Sequence, residues 1–144
     1  MERTRCRARC SFLELLVLAL LINEGEMHGY ALRKKIISVT REHWNPSIGT
    51  IYRLLNNMSE KGLVDKSARG RRQVYTITQK GVEYFAKISR SIITRRVGVL
   101  TELLKAYSTL AAESPNLIGG HMEENIKALK KVLDNMWEAL QESR

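Results

Sequence analysis

The stretch HWNPSIGTIYRLL, residues 43–55, concentrates side chains that can hydrogen-bond a polyanion or the edge of a base. Ser47, Thr50 and Tyr52 offer hydroxyls of short or rigid reach, and Arg53 carries a planar fork of donors. That fork matches the two major-groove acceptors of guanine, while the amide of Asn56 or Asn57 matches adenine. A second set follows in SARGRR, where Arg69, Arg71 and Arg72 fall within four positions. Arginines this close repel one another unless an anion answers them. This is the chemistry of recognition and not of bond-making. His28, His43 and His121 are far apart in sequence, and no nucleophile–base–acid set or phosphate-binding glycine loop is visible. Enzymatic activity is therefore not expected.

The elements must place these groups on one surface. Pro46 and Gly49 look like loop residues, yet Ile48, Ile51, Leu55 and Met58 recur at helical spacing straight through them. Two starts fit a helix here. Asn45 can cap it with Pro46 at the first position, or Ser47 can cap it with Pro46 fixing the approach. The helix runs to about Lys61, where Gly62 stops it. Gly49, Arg53, Asn56 and Glu60 fall opposite the apolar side, flanked by Thr50, Asn57 and Tyr52. An ordinary solvated helix would carry Glu/Lys pairs four apart, and this face lacks them. Gly49 removes bulk where the helix start could approach a sugar-phosphate backbone.

Upstream, the sequence predicts a helix over about 11–23. Ser11 can cap it, with Glu14 completing a capping box, and its apolar residues cover most of the circumference. A second helix is expected at about 29–41, with Leu32, Ile36 and Val39 as its stripe and Arg33, Lys34 and Lys35 as a basic cluster. Downstream, 63–66 and 73–78 read as two short strands, with SARGRR as the turn between them. Thr78 then caps a long helical stretch that breaks at about 113–121. In the last segment Met122, Ile126, Leu129, Leu133, Met136 and Leu140 alternate spacings of four and three, the seam of a coiled coil. It is too short to stand alone, so it packs on its own domain, on a partner subunit, or on both.

Composition is consistent with a folded chain that meets a polyanion. Of 144 residues, 44% are hydrophobic and 27% charged, enough for a packed core and too apolar for disorder. The net charge of +9 is uneven: residues 1–77 hold 14 Lys and Arg against 7 Asp and Glu, residues 78–144 hold 10 against 8. A basic first half suggests nucleic acid as the partner. MERTRCRARC followed by FLELLVLALLI mimics a secretion signal, but Glu14 interrupts the apolar run and no small-residue cleavage site follows. The run is also shorter than the ~20 residues a membrane span needs, so a cytoplasmic protein with no membrane contact is expected. Cys6 and Cys10 have no nearby histidine and make an incomplete metal site, so no metal is expected. Neighbouring arginines would lower their thiol pKa, which leaves a redox role conceivable.

The order helix, helix, helix, hairpin, long helices is that of a winged helix-turn-helix, in which the third helix enters the major groove. HGYALRKKI, W-NPSIGTIYRLLNNMSEKGLV and GRRQVYTITQKGVEYF, in order over about residues 12–86, resemble the PadR family of transcriptional regulators. The resemblance implies a mainly α fold with a small β-hairpin wing. A DNA-binding domain over 11–80 would be followed by a helical dimerisation region over 81–144. It also implies a homodimer, usually a repressor, on a pseudo-palindromic operator of double-stranded DNA, with no cofactor. Ser47, Gly49, Thr50 and Tyr52 then fall in the recognition helix. His28 and Tyr30 match the start of the family's second helix near the DNA backbone, and Arg71, Arg72 and Tyr75 match the wing. Many relatives have proline where this chain has Arg53, which makes Arg53 a candidate specificity residue in its own right.

The family dimerises mainly through C-terminal helices aided by the first. The 122–140 seam and the apolar 12–22 run, with Phe12 and Leu16, fit that role. Some relatives bind small aromatic or lipophilic effectors at the dimer interface, where Trp137 could line a pocket. Two alternatives remain at this level. One is a winged-helix module whose third helix docks a protein. The other is a thiol or metal sensor using Cys6 and Cys10 across a dimer.

Overall fold

The computed structural model describes residues 2–144, with side chains from Phe12 onward. In chain order the elements are α1 (Glu2–Glu24), β1 (Met27–His28), α2 (Gly29–Val39), α3 (Ile48–Glu60), β2 (Val64–Arg69), β3 (Arg72–Ile77), α4 (Gln79–Glu113), a 3-10 turn (Pro115–Leu117) and α5 (His121–Glu142). The three strands form one antiparallel sheet in the order β1-β3-β2. Three helices followed by a strand hairpin make a winged helix-turn-helix. The chain forms two compact units, the first ending at Thr94 and the second spanning Arg95–Arg144. Among the described residues no helix is long and apolar enough to cross a membrane.

The core of the first unit is built from the apolar periods of its helices. Val17, Leu18 and Leu21 of α1, Leu32 and Ile36 of α2, and Ile51, Leu55 and Met58 of α3 are all buried. Leu63, Val64 and Tyr75 close it from the sheet side. Ile48 and Val39, expected on apolar faces, are instead exposed, because each lies at the end of its helix, beyond the packed turns.

Four local readings need correction. First, α1 begins at Glu2 and not at Ser11, so Ser11 lies inside the helix. Residues 2–10 contain neither glycine nor proline, and arginine and alanine favour helix. The Ser11 side chain, like those of Cys6 and Cys10, lies outside the described residues. Glu14 is buried: its carboxylate stands 3.6 Å from Lys61 Nζ, an ion-pair contact longer than a hydrogen bond. Second, α2 ends at Val39, because Thr40 Oγ1 donates back to the Ile36 carbonyl at 2.8 Å and Arg41 and Glu42 turn left-handed.

Third, a strand ahead of α2 escapes the sequence reading. β1 pairs Met27 with Tyr75 and His28 with Val74, and its two residues are too few to show a period. Fourth, SARGRR is not a six-residue turn. Strand pairing continues to Arg69 opposite Arg72, leaving Gly70 and Arg71 as the loop. Only the first of these has positive φ, +63° at Gly70, as a type II′ turn requires.

The other boundaries follow from caps. Ser47 Oγ accepts from the Thr50 N–H at 3.1 Å, so Ser47 caps α3. Asn45 is used elsewhere: its Oδ1 accepts from Arg33 Nη2 at 2.9 Å, and Arg33 Nε holds the Pro46 carbonyl at 2.9 Å. Arg33 thereby ties α2 to the turn that launches α3. At the far end Leu63 N–H bonds the Met58 carbonyl and Gly62 N–H the Ser59 carbonyl, a Schellman stop with Gly62 at φ +74°. Thr78 Oγ1 accepts from Gly81 N–H at 3.0 Å, capping α4, and donates to the Gly62 carbonyl at 2.6 Å.

In the second unit α5 buries no residue. Ile126, Leu133, Met136, Trp137 and Leu140 are exposed along it, and Met122 and Leu129 are half-buried. Leu104, Tyr107 and Ala111 of α4 and Met122, Ile126 and Leu129 of α5 line an apolar groove of about 630 Å³. Trp137 is not part of its lining.

Candidate nucleic-acid interface

α3 is held from below by Ile51, Leu55 and Met58, none of them accessible to solvent. That fixes which side chains point away. Gly49, Tyr52, Arg53, Asn56 and Asn57 are exposed, as is the cap residue Ser47, and Thr50 is half-buried. Thr50 Oγ1 and Ser47 Oγ also lie 2.9 Å apart, so the two hydroxyls form one polar corner at the helix start. A Cβ on Gly49 would meet only Ser47 Oγ, at 3.9 Å, and otherwise faces open space.

Beside α3 a concavity of about 430 Å³ is lined by His28, Tyr30, Tyr52, Arg71, Arg72 and Gln73. The start of α2, the middle of α3 and the wing thus meet at one place, although the sequence scatters them over 46 positions from His28 to Gln73. Two contacts shape it. His28 Nδ1 lies 3.3 Å from the Gln73 carbonyl oxygen, across the β1–β3 pair. The Tyr52 ring lies against Gly29, where a Cβ would come within 2.7 Å of Tyr52 Cε1. Gly29 is needed for that ring to reach the cleft. Burial raises the pKa of the Tyr75 hydroxyl, and the nearby Tyr52 raises it further.

The basic residues sort into held and unheld. Among the described residues Arg53, Arg71 and Arg72 are exposed without a side-chain partner, and Lys34 is too. Lys34 stands apart from the cleft, however, in a shallow concavity with Ile37, Ser38, Arg41 and Glu42. Lys66 Nζ reaches Asn56 Oδ1 at 3.4 Å, which leaves Asn57 as the amide of the outer face without a tie of its own side chain. Arg69 is engaged by Glu26, with Nε–Oε1 at 3.3 Å and Nη2–Oε2 at 3.1 Å. The hydrogen bond to Glu26, and then its charge, raise the Arg69 pKa. Sequence reasoning missed Glu26 and Gln73, because only the folded chain brings Glu26 to Arg69 and the Gln73 carbonyl to His28.

Two residues expected at a subunit interface have uses within the chain. Phe12 stacks on Trp44, ring centroids 5.9 Å apart, and Leu16 packs against the core. Among the described residues no group of three or more His, Cys, Asp or Glu could hold a metal ion.

Comparison with known proteins agrees with this geometry. Residues 17–87 match the model of the "Transcriptional regulator PadR-like family". The chain is 25% identical over 121 residues to the Escherichia coli transcriptional regulator YqjI, covering 83% of this chain and 51% of that protein. It therefore spans about half the length of the curated relatives it matches. A transcriptional regulator from Clostridium thermocellum superposes with a TM-score of 0.54 at 27% identity, covering 60% of this chain and 86% of that one. A PadR family transcriptional regulator from Eggerthella lenta shares the fold, with a TM-score of 0.53 at 24% identity over 71% and 90% of the two chains. The winged-helix fold, the motifs that build its cleft and the family match agree: residues 17–87 form a PadR-like transcriptional-regulator segment.

Proposed function

We propose that this protein binds double-stranded DNA sequence-specifically as a homodimer and represses transcription from a pseudo-palindromic operator. The observation that carries the reading is the meeting of unpaired wing arginines, the α2 start and the outer face of α3 at one exposed surface. A duplex offers the complement: phosphates for Arg71, Arg72, His28 and Tyr30, and base edges for Arg53 and Asn57. Gly49 lets the start of α3 come close to a strand. Dimerisation is supported by the apolar side chains that α5 leaves exposed, Leu133, Met136 and Leu140 among them. A two-fold pair of wings and recognition helices reads half-sites about one helical turn apart. The apolar groove between α4 and α5 suits a small aromatic or lipophilic effector.

Selection from a random DNA pool tests this directly. The wild-type chain is expected to enrich two inverted half-sites, and Arg53→Ala to lose preference at one position of each, costing about 1–3 kcal/mol there. Enrichment of no sequence at all would remove the DNA reading in favour of protein docking by α3.

A further inference from the structure

We infer that Arg69 is a wing-positioning residue and not a DNA contact: its ion pair with Glu26 fixes where the wing presents Arg71 and Arg72. The inference rests on the DNA-binding reading above. Two guanidinium nitrogens meet the two carboxylate oxygens of Glu26, at 3.3 Å and 3.1 Å, so the pair is bidentate. A fork on a fork sets orientation as well as distance, unlike a lysine contact.

The pair also spans the sheet. Arg69 ends β2, Glu26 directly precedes β1, and β3 lies between these strands. Beyond the His28–Val74 pair, β3 has no β1 neighbour, so the wing tip is a bare two-stranded ribbon. Such ribbons are marginal on their own. Among the described residues the side-chain ties from the tip to the α2 side are this ion pair and the His28 contact to the Gln73 carbonyl. Arg71 and Arg72 have no partner and line the cleft. Glu26 further offsets one of three crowded positive charges, which lets the other two approach phosphate with less mutual repulsion.

Plain electrostatics and positioning predict opposite signs for the loss of Glu26. Removing an acid beside DNA should tighten binding, whereas freeing the wing should weaken it. The experiment measures operator affinity of the full chain between 50 and 200 mM salt. It compares wild type, Glu26→Gln, Arg69→Gln, the double variant and Arg72→Ala, each checked for folding by urea unfolding. Both single glutamine variants are expected to weaken binding about threefold, and the double no more than either. Their salt slopes stay at the wild-type value, while Arg72→Ala lowers the slope by about one per protomer. The inference is overturned if Arg69→Gln lowers the slope as Arg72→Ala does and Glu26→Gln tightens binding; Arg69 is then a phosphate contact. A wild-type chain without salt dependence removes the DNA-binding reading itself, and the positioning role with it.

Discussion

Nothing within the fold requires glycine at position 49, since a Cβ there would meet only Ser47 Oγ at 3.9 Å. Glycine inside a helix costs about 0.5–1 kcal/mol relative to alanine. A residue that weakens the helix without serving its packing points outward for its purpose. Gly49→Ala is therefore expected to stabilise the protein by about 0.5 kcal/mol in urea unfolding while weakening operator binding in a gel-shift assay. If affinity is unchanged, no DNA strand passes close to Gly49. Single residues of this outer face were legible from the sequence, because periodicity assigns them to the side opposite Ile51, Leu55 and Met58. Their partners were not. Arg33 ties down Asn45 and Pro46, 12 and 13 positions away, and Glu26 engages Arg69, 43 positions away. A charge pair at such separations has no local signature.

At the scale of elements, α3 was readable because its start and stop are encoded locally. Of its two possible caps the structure uses Ser47, since Asn45 is drawn to Arg33. β1 was not readable, because two residues become a strand only when β3 lies beside them. The start of α1 was misplaced for a different reason: a good capping sequence at Ser11 does not end a helix that upstream residues can continue. The joint between wing and α4 gives a prediction of its own. A side chain on Gly81 would run into the Leu63 carbonyl oxygen and approach Ile77 Cγ1 at 2.8 Å. The Leu63 carbonyl already accepts from Thr78 N–H at 3.1 Å and cannot move aside freely. Gly81→Ala is expected to destabilise the protein by about 3 kcal/mol in the same unfolding assay. A change below about 1 kcal/mol would mean that this joint yields.

For the molecule as a whole, the first unit was largely visible in the order of its elements, and the comparisons place the family match within it. The second unit was legible only as a pattern. Its heptad seam was clear, yet a seam does not say what covers it, and α5 leaves Leu133, Met136 and Leu140 exposed. The uneven charge, heaviest in residues 1–77, coincides with the unit that carries the cleft. If that surface neutralises phosphates, association releases counterions, and affinity must fall steeply with salt. The deciding measurement is the salt dependence of binding to the selected operator by the wild-type chain and Arg71→Ala. The account predicts a loss of several orders of magnitude between 50 and 200 mM salt for about 6–10 phosphate contacts per dimer, and a slope lowered by about one per protomer in Arg71→Ala. A wild-type affinity that barely changes with salt, or a slope that Arg71→Ala leaves intact, would contradict it.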